Sequence, residues 1–346
     1  MSNLKKIGIV FLVVIIIGGI LGFKTYSKIF GAAVPSDIAD TYLKVPSATD
    51  YASLKRLLLD QNFISDSSSF DWVAKLMKYD KNTIRSGRFE IKSGWSNRKL
   101  IQHLRAGKQS SVNLVLNNER LLSEVASKAS SFIEPDSTAI IDALTSPKIL
   151  DSLGLTKETI MTIFIPNTYR VYWDISPDEF IERMVKERDK FWAKHERKTM
   201  LQELGMSKEE VYTLASIVEK ETNYVPEKST VAGVYLNRIS KGMLLQADPT
   251  VVFAVKDFSL RRVLNKHLAI DSPYNTYKNI GLPPGPIAMA SISSIDAVLK
   301  NEDHKYYYFC AKPDLSGQHV FAKSLSAHNT NARKFQSWLN RQQIYR

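Results

Sequence analysis

The alternation of apolar and polar stretches divides the chain before any motif does. Ile7 to Phe23 runs for 17 residues without a charge, with Lys5 and Lys6 before it and Lys24 after it. That is the lower limit of length for a membrane-spanning helix. The segment is either an anchor or a signal peptide. It exceeds a usual signal core, no small-x-small site follows it, and no cysteine stands near enough for lipid attachment, so an uncleaved transmembrane anchor is expected at 7–23. Residues 1–6 are too short for a domain and are expected as a cytoplasmic stub, the rest being exported. Residues 24–41 carry Gly31, Ala32, Ala33, Pro35 and Ser36 without periodicity and read as a tether.

Between 42 and 110 the patterns alternate in kind. Tyr42 to Val45 reads as a strand, and Tyr51 to Gln61 and Phe70 to Met77 have helical spacing with Leu54, Leu57, Leu58, Val73 and Ala74 on one face. Ser86-Gly-Arg-Phe-Glu-Ile-Lys92 alternates like a half-buried strand, and a helix runs from the capping Ser96 to Arg105, closed by Gly107. This is a small α+β module. Residues 111–205 read as a connecting α+β region with a strand at 112–116 and helices near 119–131, 137–145 and 177–203, the last highly charged. The remainder, 206–346, opens on Ser207-Lys-Glu-Glu210, a capping box, and continues with a helix through Val211 to Thr222, a second from Val231 to Ile239 and a hairpin of 306–311 with 319–322. The fold class is α+β with one N-terminal apolar helix.

Composition narrows the class. The 346 residues suffice for two or three units, and 44% hydrophobic with 24% charged residues is the make-up of a globular chain. The excess of 47 Lys and Arg over 35 Asp and Glu leaves +12, which suits polyanions: nucleic acid, an anionic membrane face or a carboxylate-rich cell wall. No helix-turn-helix, RNP-like or zinc-finger signature supports nucleic acid. The lone Cys310 excludes an internal disulfide and a cysteine metal cluster. His319 and His328 have no ligand spacing about them and read as structural histidines, so neither a metal nor a cofactor is expected.

The candidate chemistry lies at the end of the Ser207 helix. At about 100° per residue, Glu219 and Glu221 flank the apolar face of Val211, Leu214, Ala215, Val218 and Thr222 on opposite sides and do not form a paired-carboxylate site. Glu221 continues the row of Leu214 and Ile217, whereas Glu219 follows Tyr212, Ala215 and Ser216 on a more polar edge. If one carboxyl is desolvated it is Glu221, and desolvation raises a carboxyl's pKa as a general acid near neutral pH requires. The plain alternative is two solvated charges at a helix end.

Read together, Ile217-Val-Glu-Lys-Glu-Thr222, Leu245-Gln-Ala-Asp-Pro-Thr250, Tyr274-Asn-Thr-Tyr277, Gly281-Leu-Pro-Pro-Gly-Pro-Ile287 and Ser326-Ala-His-Asn329 closely resemble the MltG (YceG-like) family of membrane-anchored endolytic murein transglycosylases. The resemblance is strong over 207–335 and looser over the anchor and the 42–110 module, which it makes LysM-like. It departs from the family pattern at Gly87-Arg-Phe89, Asn117-Asn-Glu119 and Ile165-Pro-Asn-Thr-Tyr169. What it implies is a mixed α/β catalytic domain with a lysozyme-like acid helix, and Glu221 as catalytic acid. The reaction implied is cleavage of the MurNAc-GlcNAc bond of peptidoglycan glycan strands to leave 1,6-anhydroMurNAc ends. It also implies Gln246, Asp248, Thr250, Tyr274, Asn275 and Thr276 as sugar-orienting groups, with Glu219 and Thr222 supporting. Asp248-Pro249 also reads as a helix cap with proline at the first helical position, and Tyr274-Asn-Thr as a turn cap. The implied location is the inner (cytoplasmic) membrane, single-pass, with the catalytic domain on the periplasmic or extracytoplasmic side beside peptidoglycan synthases. Two other readings stay open: a water-using muramidase, which needs a second carboxylate such as Asp248, and a non-catalytic wall-binding scaffold.

Overall fold

The computed structural model describes residues 3–342 apart from 118, 261 and 315. The first two residues of the expected stub, the middle of the Asn117–Glu119 step and Leu315 in the hairpin turn therefore lie outside the described residues. The architecture is mixed α and β, mainly helical, with small two-stranded sheets. The chain separates into two compact units: residues 1–113 with 132–134 and 170–175, and residues 114–131 with 135–169 and 176–346.

The first unit begins with α1 (Asn3–Phe30), whose stretch Lys6–Phe30 is long and apolar enough to cross a membrane. The expected tether at 24–41 is not a free linker. No glycine or proline occurs between Phe23 and Gly31, so α1 continues seven residues past Phe23 to Phe30. Its end is docked: Asn97 Nδ2 donates to the Lys28 carbonyl at 3.2 Å, and the backbone amides of Ala33 and Val34 both donate to the Trp95 carbonyl. Beyond it come β1 (Tyr42–Val45), α2 (Tyr51–Asp60), α3 (Ser67–Leu76), β2 (Gly87–Glu90) and α4 (Asn97–Ala106). Strands β1 and β2 pair antiparallel, Leu43 opposite Phe89. Side chains alternate along each strand, so Leu43, Val45 and Phe89 all enter a core shared with Leu54, Leu58, Phe70, Val73, Leu100 and Leu104. Asp50, Asp66 and Ser96 cap α2, α3 and α4.

The chain continues through β3 (Ser111–Leu116), α5 (Leu122–Ser130), α6 (Ser137–Leu144), α7 (Pro147–Leu153) and β4 (Asn167–Tyr172), with β3 and β4 forming a two-stranded sheet. The single helix expected over 177–203 is two, α8 (Pro177–Ala193) and α9 (Arg197–Leu204). His195 and Glu196 between them take left-handed φ of 57° and 58°. Tertiary pairing overrides helical spacing there: the buried Arg197 donates to Asp296 at 2.8 and 3.1 Å and to the Phe191 carbonyl at 3.0 Å.

The second unit is organised around α10 (Lys208–Glu221), followed by α11 (Lys228–Ser240), α12 (Asp248–Val255), α13 (Asn265–Leu268), α14 (Ile292–Leu299), β5 (Tyr308–Ala311), β6 (His319–Ala322) and α15 (Leu325–Arg341). The capping box forms, with Ser207 accepting from the Glu210 amide and Glu210 accepting from that of Ser207. Every residue of α10 from Val211 to Val218 is buried, and the helix packs on α11 and α14. The core joins Leu214, Ile217 and Val218 to Val231, Tyr235, Ile295 and Val298.

The proline-rich segment 281–287 forms neither helix nor strand, because proline supplies no amide donor. Its last residue and the chain just beyond it are fixed to α10: Ser216 accepts from the Ile287 amide at 3.0 Å, and Tyr212 accepts from that of Ala290 at 3.3 Å. At Gly285 an added Cβ would lie 2.1 Å from the Glu158 carbonyl oxygen. Gly285→Ala is therefore expected to destabilise the protein by about 1–3 kcal/mol, the usual cost of forcing an extra group into packed structure, as a fall in the midpoint of urea unfolding.

Candidate active site

Glu221 is the last residue of α10, with Thr222 as its C-cap. Thr222 is buried; its hydroxyl donates to Glu227 Oε1 at 3.1 Å and accepts from the Tyr224 amide, so it fixes the chain where the acid helix stops. Glu227 also accepts from the His319 amide at 2.9 Å and lies 2.6 Å from His319 Nδ1, tying β6 to the same corner. His319 therefore has a structural partner, and no cluster of three or more potential metal ligands occurs among the described residues.

Glu221 is half-buried, its carboxyl turned toward α11. Tyr235, buried on α11, donates its hydroxyl to Glu221 Oε1 at 2.5 Å. Burial pushes the Glu221 pKa up to about 7; the Tyr235 hydrogen bond and Arg238 oppose the rise and the charge of Asp248 adds to it. Burial dominates because a carboxylate loses more solvation than one donor returns. Glu221 lines two cavities. One, of about 550 Å³, includes Arg120, Lys220, Asp248, Phe253 and Phe258; the other, of about 510 Å³, includes Asn223, Tyr224, Lys312, Gln318 and His319. Phe335 and Leu339 of α15 line both.

The more polar edge on which helical spacing placed Glu219 is covered where α11 and α14 pack against α10. Glu219 Oε2 meets Lys228 Nζ at 2.8 Å and accepts from the hydroxyls of Ser291 and Ser294. Burial raises its pKa, but these donors together outweigh burial and hold it below the ordinary carboxylate value. The two acids of Glu219-Lys-Glu221 are thus pushed in opposite directions, one below and one above the ordinary carboxylate value.

The other expected site residues divide by burial. Asp248 is exposed on the first cavity's wall and accepts from the Tyr277 hydroxyl at 2.6 Å; it is the first residue of α12 and Ala247, not Asp248, is the cap. Gln246 is also exposed, with a left-handed φ of 51°, a conformation that a non-glycine residue adopts at a cost and that concentrates at functional sites. Its amide donates to the Thr276 carbonyl, and its Oε1 lies 3.4 Å from an Arg238 nitrogen. Tyr274 stacks obliquely on Phe253, ring centroids 4.7 Å apart.

Thr250, Asn275 and Thr276, expected to orient sugars, are turned away from solvent, all at 1% exposure or less. Asn275 Nδ2 donates to the carbonyls of Leu268 and Ile270 at 2.9 Å each, and its Oδ1 accepts from the Tyr277 amide. Thr250 and Thr276 bond to one another at 2.8 Å. These residues hold the loops that present Gln246, Asp248 and Tyr277; a saturated, buried amide has no donor left for a ligand. Sequence reasoning missed Tyr235, Tyr277 and the α15 residues. Tyr235 and Phe335 fall on apolar helical spacing and carry no signal distinguishing them from core, while Tyr277 stands inside the quoted Tyr274-Asn-Thr-Tyr277 motif.

A carboxyl protonated near neutral pH, aimed by a tyrosine and open to cavities on two sides, can give a proton to a leaving group and then take one back. The site is one equipped for acid-base chemistry. The chain belongs to the YceG-like family, whose profile matches residues 43–334. It is 29% identical over 346 residues to an endolytic murein transglycosylase of Bacillus subtilis, covering 94% of this chain and 92% of that protein. It is 24% identical over 363 residues to an endolytic murein transglycosylase of Streptococcus pneumoniae serotype 2, covering 95% of this chain and 65% of the other. A crystal structure of a yceG-like protein from Listeria monocytogenes superposes with a TM-score of 0.56 at 28% identity, over 84% of this chain and 98% of that one.

Proposed function

We propose that the chain is a membrane-anchored endolytic peptidoglycan lytic transglycosylase in which Glu221 acts as general acid and then as general base. It is an enzyme of the kind its curated relatives are named for, a lytic murein transglycosylase. The observation that carries the catalytic assignment is the raised pKa of Glu221 in a hydrogen bond to Tyr235 between two open cavities. Glu221 donates its proton to the glycosidic oxygen as the bond from that oxygen to C1 of MurNAc breaks. The resulting carboxylate takes the proton of the C6 hydroxyl as that oxygen bonds to C1, closing the 1,6-anhydro ring. The substrate's N-acetyl carbonyl stabilises the cationic carbon, so no second carboxylate is required; Gln246, Asp248 and Tyr274 orient the sugars. The α1 helix anchors the protein in the cytoplasmic membrane with its body outside, near peptidoglycan synthases. The 42–110 module is LysM-like; a groove of about 510 Å³ on its unit, lined among others by Tyr42, Trp95, Arg88 and Gln109, offers the aromatic and polar surface a glycan needs.

One observation favours a second reading. Asp248 lines the same cavity as Glu221 and could activate water as a muramidase requires. Mass spectrometry of fragments released from purified peptidoglycan by the full chain in detergent separates the two. Fragments short by one water, ending in anhydroMurNAc, are expected; reducing ends would transfer the reaction to Glu221 with Asp248, and no release would leave the scaffold reading.

Tyr235→Phe removes a donor that stabilises the Glu221 carboxylate, so the Glu221 pKa rises further. The alkaline fall in kcat/KM should move to higher pH by up to about one unit, with kcat reduced roughly tenfold, the scale of one hydrogen bond to a charged group. An unmoved profile would remove Tyr235 from the site.

A further inference from the structure

The cavity of about 550 Å³ beside Glu221 is lined by three cations, Arg120, Lys220 and Arg262, and by two carboxyls, Glu221 and Asp248. With Glu221 protonated and Asp248 already accepting from Tyr277, positive charge is in excess. Lys220 is partly buried, and among the described residues no hydrogen bond or ion pair holds its ammonium. Burial first, and then repulsion from Arg120, lower its pKa. Arg120 rests its guanidinium on the Phe258 ring, 4.4 Å from the centroid. A lysine ammonium held in a cleft beside another cation is costly unless an anion joins it.

We propose that Lys220, with Arg120, forms a carboxylate-binding subsite that selects substrate strands bearing a free carboxylate next to the scissile bond. The inference rests on the transglycosylase reading. The sugar backbone of the strand is neutral, so the carboxylate comes either from the peptide stem on MurNAc or, in a strand stripped of its peptides, from the exposed lactyl group. Lys220 directly precedes Glu221 in α10, so a carboxylate held there registers the MurNAc unit against the acid.

Three forms of one glycan preparation test this with the full chain in detergent: stems with free carboxylates, stems with carboxylates chemically amidated, and strands stripped by an amidase. Amidation is expected to lower kcat/KM about tenfold or more, the scale of one charge-assisted hydrogen bond. Lys220→Met should bring the ratio of free to amidated rates close to one, and Lys220→Arg should restore it. Because the readout is a ratio, a general loss of folding or activity does not mimic the effect. Stripped strands cut as slowly as amidated ones would assign the stem alone, stripped strands cut as fast as free-stem ones would add the lactyl carboxylate as a ligand, and stripped strands cut faster while free and amidated stems are cut alike would assign the lactyl group alone. Equal rates on all three forms, or rate ratios that survive in both Lys220→Met and Arg120→Met, would overturn the subsite while leaving the transglycosylase intact. Cleavage of none of the three forms would sink the transglycosylase reading itself.

Discussion

Glu221→Gln is expected to lose anhydro-product formation by a factor of about 100 to 10,000, the usual contribution of a positioned acid-base group, while remaining folded. Glutamine keeps the shape and can accept from Tyr235 but carries no transferable proton. The same carboxyl is expected to set the wild-type pH profile. With a pKa of about 7, the protonated fraction, and with it kcat/KM, should fall as pH rises through that value. The stability effect has a definite sign. The folded pKa is raised above the unfolded one, so from about pH 4.5 to 7 the native state binds more protons than the unfolded chain, and stability declines across that window. Glutamine does not ionise, so at pH 8 the variant should be the more stable by on the order of 1–3 kcal/mol. Activity lost and stability gained together distinguish a catalytic acid from a structural one; loss of both in thermal melts at pH 8 would assign Glu221 to the scaffold.

Lys228→Met should destabilise the protein by about 3–5 kcal/mol, the cost of leaving a buried charge without its partner. Lys228 and Glu219 pair at 2.8 Å with side-chain exposures of 5% and 16%. The lysine hydrogen bond and charge are among what holds Glu219 ionised against burial, so its loss strands the carboxylate at the foot of the acid helix. The double variant Lys228→Met with Glu219→Gln should recover much of the loss in urea unfolding, since no buried charge then remains. Equal instability of single and double variants would mean that the lysine acts through packing.

The α10 helix was legible because its signals are local: a capping box at Ser207, an apolar row, and Glu221 at the end of that row. The strands β1 and β2 and their helices were legible for the same reason, each announced by period and cap. What was not legible depends on elements far apart in sequence. Nothing about Tyr235 within its helix says that its hydroxyl reaches Glu221, and nothing about Phe335 or Leu339 says that α15 lines the cavities. Spacing alone placed Glu219 on a polar edge; only the packing of α11 and α14 against α10 encloses that edge. Asn275 has the chemistry of a sugar contact, and its commitment to the Leu268 and Ile270 carbonyls is a property of the folded loop. The break at His195 and Glu196 contains neither glycine nor proline and arises from the distant pairing of Arg197 with Asp296.

The central claim is that Glu221 cleaves the strand without water, and the most direct test is to run the reaction in water enriched in the heavy oxygen isotope and weigh the new ends. The account predicts anhydroMurNAc ends carrying no label, formed by the wild-type chain and not by Glu221→Gln. Reducing ends with one labelled oxygen would contradict it and make the enzyme a hydrolase.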